Sequence, residues 1–185
     1  MNLKLVNYTK LSSNEHIELL EIRNFSYVRK NMKNEALIKL EDHLSWIKTL
    51  NNDNTKTYFA VFSDNILVGG INITDIDMEQ KTSSWGLFVR ANINPMVPSI
   101  STYLIIDKVF RTLDVNTLNL EVNKLNINAY KFDKNFGFID NGEYDDEDNS
   151  YYLMCMNKQD WEIKKDSGLL KVIKLKIERS QIEII

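Results

Sequence analysis

The chain has 185 residues, 43% of them hydrophobic, and a formal net charge of −3, which suits one ordinary globular domain with a substantial core. No Lys/Arg run marks a nucleic-acid surface, and no apolar run is long enough to span a bilayer. The single cysteine, Cys155, excludes a disulfide framework, and Met1 to Leu5 does not read as a signal peptide, so the expected setting is a reducing cytoplasm.

In chain order, Leu3 to Tyr8 can start as a strand. Glu15 to Lys30 reads as a helix with Ile17, Leu20, Ile22 and Phe25 toward one side, capped by Ser12 or Ser13. A second helix covers Lys39 to Leu50, carrying Leu40, Leu44, Ile47 and Leu50, and the polar turn 51–54 follows. Thr57 to Ser63 and Leu67 to Thr74 read as a hairpin joined at Asp64-Asn65, and Ser83 to Arg90 as a third strand. Ser99 to Thr112 is an amphipathic helix. Leu118 to Val122 is a strand, and a helix capped by Asn126 or Asn128 runs from it to Gly137. Asn141-Gly142 reads as a turn and Ser150 to Met156 as a late strand. The tail, Lys164 to Ile185, fits either a half-buried strand (Ile173, Leu175 and Ile177 against Lys174 and Lys176) or a helix face (Leu169, Val172, Ile173 and Lys176). The order is strand, two helices, three strands, helix, strand, helix, strand: α/β, with an antiparallel start and a βα repeat at the end.

Among the smaller features, His16 is expected to be exposed on its helix and Cys155 buried on its strand. The acidic run Asp145-Asp146-Glu147-Asp148 reads as a solvated hairpin loop. It has no accompanying His or Cys and no calcium-loop spacing, so no metal is expected.

A strand that delivers Asn126 onto a helix start, with Ala129, Phe132 and a Gly137-Phe138 stop, resembles the last core segment of the GCN5-related N-acetyltransferases (GNAT). Gly86-Leu87-Phe88 matches that family's Gly-Leu-aromatic strand. The resemblance implies the acyl-CoA N-acyltransferase fold, a mixed central sheet with splayed middle strands flanked by helices, over residues 1–161. Residues 162–185 would then form an extension that packs on its own domain or on a second copy, making a homodimer. It implies acetyl-CoA as co-substrate, its pantetheine adding along the edge of Leu87, Phe88 and Val89, with a backbone N–H near Phe88 or Val89 polarising the thioester. Asn126 would contact the pantetheine.

Two places depart from the family pattern. The segment from Arg90 to Thr102 lacks the glycines that wrap the pyrophosphate at a helix N-terminus, and contains Pro95 and Pro98 instead. Pro98 suits the first position of the helix, and Ser99, Ser101 and Thr102 are the hydroxyls available to a phosphate. The second departure is Asp133, where the family often has the Tyr that protonates the leaving thiolate. An exposed Asp with its usual pKa near ~4 is ionised and cannot donate. Tyr130, one turn earlier, is the expected substitute.

The N-terminal third narrows the resemblance. Arg23-Asn24, Met32 and the helix IKLEDHLSWI from Ile38 to Ile47 are similar to the N-acetyltransferases of the pseudaminic acid pathway. That implies acetylation of the 4-amino group of a UDP-linked amino-deoxy sugar, for flagellin glycosylation or a surface glycan, with His43 or Glu121 assisting amine deprotonation. Arg23, Asn24, Met32 and Trp46 would hold the substrate. Without the resemblance, Arg23 is equally a helix-end ion pair and Trp46 a core residue. The alternatives are a protein N-terminal acetyltransferase of the ribosomal-protein type and a non-catalytic GNAT-like binding module.

Overall fold

The computed structural model describes residues 1–146 and 149–185. Glu147 and Asp148, half of the acidic run, lie outside the described residues. The elements are β1 (Asn2–Asn7), α1 (Ser13–Asn24), α2 (Ser26–Arg29), α3 (Leu40–Thr49), β2 (Thr57–Ser63), β3 (Ile66–Asp77), β4 (Thr82–Val89), α4 (Met96–Thr112), β5 (Thr117–Asn123), α5 (Ile127–Phe136), β6 (Ile139–Asp145), β7 (Ser150–Asn157), α6 (Lys158–Lys164), α7 (Gly168–Glu178) and β8 (Gln181–Ile184). The strands form one eight-stranded sheet in the order β6-β7-β5-β4-β3-β2-β1-β8. Pairing is antiparallel except for β4–β5 and β1–β8, which are parallel.

Both faces of the sheet are covered, and β2 shows how the sequence arranges this. Its run Phe59-Ala60-Val61-Phe62 is buried throughout, but alternate residues serve different cores. Phe59 and Val61 join the larger cluster, with Ile100, Ile105, Ile106, Val109 and Phe110 of α4, Phe136 of α5 and Trp161 of α6. Ala60 and Phe62 face the smaller one, with Leu19 and Ile22 of α1, Ile47 of α3 and Tyr8. The β2–β3 hairpin turns on Asp64 and Asn65, both at positive φ (50° and 67°), as a tight turn matching strand twist requires.

Several expected elements change. The long first helix breaks at Phe25, whose ψ of 137° is extended. Its buried residues are His16, Leu19, Leu20 and Ile22, so Leu20 and Ile22 face inward as expected while Ile17 and Phe25 point outward and His16 inward. Of the two cap candidates there, Ser12 caps α1 through a capping box with Glu15. α4 begins at Met96, three residues before the expected start at Ser99, and Pro98 lies inside its first turn rather than at its first position. Asn141-Gly142 is not a turn but the bulged part of β6, where the register against β7 shifts between Asp140 and Gly142.

The tail is helical over α7, but of the expected face only Ile173 is buried; Leu169, Val172 and Lys176 are exposed. Leu170 and Ile173 are buried against the α4 layer, and β8 then adds to the outer edge of β1. Residues after Trp161 therefore continue this chain's own sheet and core.

Candidate active site

β4 and β5 pair only at Thr82–Thr117, Ser83–Leu118 and Ser84–Asn119, then part. Beyond that point β4 keeps its partner β3 while its other edge is left without a strand. Amides along a paired strand alternate in direction. Arg90 N–H donates to Val68 O at 2.7 Å, on the β3 side, so Phe88 N–H points that way as well. Leu87 and Val89 turn their amides to the open gap. Of the two expected oxyanion donors, Val89 thus has the better-directed backbone N–H. Phe88 contributes its ring, which closes on Tyr8 across Gly70; a Cβ there would meet Tyr8 Oη at 2.2 Å and the Phe88 ring at 2.9 Å.

A cleft of about 800 Å³ starts in this gap. Its donor half is lined by Gly86, Leu87, Phe88 and Val89 of β4, Leu120 to Val122 of β5, Pro98 of α4, and Asn126, Ala129, Phe132 and Asp133 at α5. Asn126, not Asn128, is the helix cap: its Oδ1 accepts from Ala129 N–H at 3.2 Å. Gly137, at φ 101°, ends α5 in the left-handed conformation.

The start of α4 has few amides left for an anion. Met96 N–H donates to Asn94 Oδ1 at 3.0 Å, Val97 N–H donates to Asn94 O at 2.9 Å, and Pro98 has no N–H. The three hydroxyls expected there are also committed or hidden. Ser99 Oγ donates to Pro95 O at 3.0 Å, while Ser101 and Thr102 are fully buried on the core side of the helix. Arg90, from the same segment, pairs with Glu18 at 2.6 Å.

α5 brings two corrections. Tyr130 is outside the cleft: its hydroxyl donates to Asp140 Oδ2 at 3.1 Å and its ring packs on Tyr152. Asp133, expected to be solvated, is 5% exposed and faces the cleft from the same stripe as Ala129 and Phe132. Burial pushes its carboxyl up to about 7.

The acceptor half is an aromatic chamber between α1, α3 and the sheet, lined by Tyr8, Arg23, Met32, Asp42, His43, Trp46 and Tyr58. Trp46 stands edge-on to Tyr58, with ring centroids 4.8 Å apart, so it both packs the wall and borders the space. Arg23 Nη1 and His43 Nε2 are buried without hydrogen-bond partners. Burial lowers the Arg23 guanidinium from its usual range. His16 is buried rather than exposed, its ring 5.5 Å from that of His43. Burial, with His16 alongside, lowers His43 to about 4. His43 is therefore a neutral imidazole at neutral pH, better suited to a hydrogen bond than to holding an abstracted proton.

Asn24 does not line the cleft. Its amide Nδ2 donates to Ile38 O at 2.9 Å and its Oδ1 accepts from Ile38 N–H at 3.0 Å, so it pins the loop between α2 and α3 as a strand neighbour would. The same loop brings Lys33 to Glu121 at 2.7 Å, and Glu121 also accepts from Tyr144 Oη at 2.9 Å. Glu121 thus borders the cleft as a paired carboxylate.

The structure brings together Arg23, Met32, His43, Trp46, Leu87, Phe88, Val89, Glu121 and Asn126 along one cleft, and leaves out Asn24, Ser99, Ser101, Thr102 and Tyr130. Sequence reasoning missed Tyr8, Tyr58 and the inward turn of Asp133; the Ala129-Phe132-Asp133 spacing was the available signal for the last. Among the described residues no group of three or more His, Cys, Asp or Glu could hold a metal, and no helix is long and apolar enough to cross a membrane. Cys155 is buried as expected, and burial raises its thiol.

Comparison with known proteins agrees with this geometry. The acetyltransferase (GNAT) domain family matches residues 10–146. The chain is 34% identical over 158 residues to "Acetyltransferase PseH" of Campylobacter jejuni subsp. jejuni serotype O:23/36 (strain 81-176), covering 85% of this chain and 96% of that protein. The crystal structure of Campylobacter jejuni N-acetyltransferase PseH in complex with acetyl coenzyme A superposes with a TM-score of 0.64 at 30% identity, covering 84% of this chain and 98% of the other. Spermidine N-acetyltransferase from Vibrio cholerae, solved with CoA and spermine, shares the fold at a TM-score of 0.76 but only 14% identity, covering 86% of this chain and 98% of the other. With its parted β4 and β5, its α5 packed beside them and these matches, the chain belongs to the GNAT acetyltransferases.

Proposed function

We propose that this protein transfers the acetyl group of acetyl-CoA to the 4-amino group of a UDP-linked amino-deoxy sugar, by direct attack in a ternary complex, as a step toward a surface glycan or a glycosylated flagellin. The observation that carries this is the continuity of the cleft. Its donor half offers the strand edge and the Val89 amide to an extended thioester arm. Its acceptor half offers aromatic walls and two unpaired buried groups, Arg23 Nη1 and His43 Nε2. Arg23 is partly buried, with Nη1 withdrawn from water and unpaired, which is costly, and a diphosphate supplies the charge and the acceptors it lacks. The Trp46 and Tyr58 rings suit the flat faces of a base or sugar.

The amine nitrogen attacks the thioester carbonyl, the C–S bond breaks, the amine loses a proton and the thiolate gains one. Glu121 lies on the wall between the halves and is the carboxylate available to take the amine proton once substrate displaces Lys33. Arg23, Met32, His43 and Trp46 hold the nucleotide sugar, and Asn126 holds the pantetheine. Resemblance to the two PseH acetyltransferases of Campylobacter jejuni, at 34% and 30% identity, supports the same reading.

The test is release of free thiol from acetyl-CoA with a UDP-4-amino-4,6-dideoxy sugar, the corresponding 4-hydroxy sugar and an unacetylated peptide N-terminus as acceptors. Turnover with the amino sugar alone is expected. Turnover with the peptide alone would replace this reading by protein acetylation.

A further inference from the structure

Asp133 is the unexplained group in the cleft. It is almost fully withdrawn from water, yet among the described residues its carboxyl has no hydrogen-bond or ionic partner. Buried polar groups without partners are uncommon and destabilising, and a carboxyl in such a place needs a reason. The charged groups around it are engaged elsewhere. Lys134, next along α5, reaches Asp140 at 3.1 Å. Lys164 of α6 donates to Gly137 O at 3.3 Å. Glu121 of β5 is held by Lys33 and Tyr144. α4 contributes Pro98 and β4 contributes Leu87 to Val89, none of them charged. Burial alone therefore sets the state of this carboxyl and favours its protonated form.

We infer that Asp133 is the catalytic acid that delivers a proton to the sulfur leaving the acetyl thioester. The inference rests on the acyl-transfer reading above. The step balances: the amine nitrogen bonds to the acetyl carbon, the C–S bond breaks with its electron pair on sulfur, and the Asp133 proton passes to that sulfur. The carboxylate that remains is reprotonated from water, to which Glu121 releases the proton it took from the amine. Asp133 occupies the donor half with Phe132 and Ala129, on the α5 side of the gap into which Leu87 and Val89 turn their amides. Tyr130, the other hydroxylic acid on α5, is held outside by Asp140.

Two measurements decide it. The first is the carbon-13 NMR titration of the Asp133 carboxyl in the free protein and with CoA or desulfo-CoA bound. A near-neutral midpoint that moves with CoA and not with desulfo-CoA is expected; a midpoint in the ordinary range near ~4 overturns the proposal whether or not an acceptor has been found. The second is the pH dependence of turnover. For wild type, kcat should fall as pH rises above about 7. Asp133→Asn should lower kcat by about 10- to 100-fold at pH 7, leave KM for acetyl-CoA within about threefold, and remove that alkaline limb. Asp133→Asn that retains the limb, or a Tyr130→Phe loss larger than the Asp133→Asn loss, would overturn it. Absence of turnover by wild type with every acceptor would instead count against the sugar reading, leaving the titration to judge Asp133.

Discussion

Asp133 shows how little a residue's type says about its proton. An unperturbed Asp is ionised at neutral pH, but 5% exposure in an apolar wall raises this one to about 7. The shift corresponds to about 4 kcal/mol against the ionised form. Because the folded value lies above the unfolded value, the penalty is absent below pH ~4, grows as pH rises toward 7, and is constant above. Asp133→Asn should therefore raise the melting temperature by roughly 5 °C or more at pH 8 and change it little at pH 4, as scanning calorimetry would show. His43 acts at the opposite end. Its folded value of about 4 lies below the unfolded one, so the fold loses stability as pH falls from ~6.5 to ~4, by an amount of order 3 kcal/mol. As a neutral hydrogen-bonding group, His43 should matter to binding more than to chemistry. His43→Ala is expected to raise acceptor KM about tenfold, the worth of one hydrogen bond, with a smaller change in kcat. A variant with unchanged steady-state kinetics would remove His43 from the site.

At the scale of elements, the start of α4 differs most from a phosphate-binding helix. Asn94 takes two of its first amides and Pro98 supplies none. The coenzyme's diphosphate then gains little there, and affinity falls to the pantetheine lying along β4. S-acetyl-phosphopantetheine, which lacks the adenylate half, is expected to serve as donor with a KM within about tenfold of that for acetyl-CoA, less than about 1.4 kcal/mol apart. A loss of a thousandfold would mean that α4 still grips the diphosphate. The β3–β4 pair depends on close approach. A methyl at Gly70 would overlap the Tyr8 hydroxyl, so Gly70→Ala should cost about 1–3 kcal/mol by overpacking, measurable by urea denaturation.

At the scale of the molecule, the sheet is completed by the tail. Ile173 of α7 is fully buried in the larger core, and β8 covers the outer edge of β1 that would otherwise be open to pairing. Ile173→Ala should destabilise the whole domain by about 2–4 kcal/mol, in one cooperative transition shared with the cleft, read as coincident loss of near- and far-ultraviolet circular dichroism. A separate early transition for the tail would show that it folds as an independent unit.

The fold was largely legible because its cues are local. The Asp64-Asn65 turn, the Asn126 cap and the Gly137 stop each act within a few residues, and their order along the chain agrees with the splayed sheet that the resemblance implied. Arg23, Met32, His43, Trp46, Phe88, Glu121 and Asn126 came from the resemblance, and all line the cleft. The sequence alone determined the order of most elements, while the strand edge left for a ligand and the stretches that supply the cleft came with the resemblance. Tertiary structure decided which way each side chain on a helix faces: Asp133 inward and Tyr130 outward, His16 under α3, Asn24 into a loop, Ser101 and Thr102 into the core. Such choices turn on tens of degrees around a helix axis and on what packs above it. Periodicity limits them to a stripe, and only the neighbouring layer selects the residue within it.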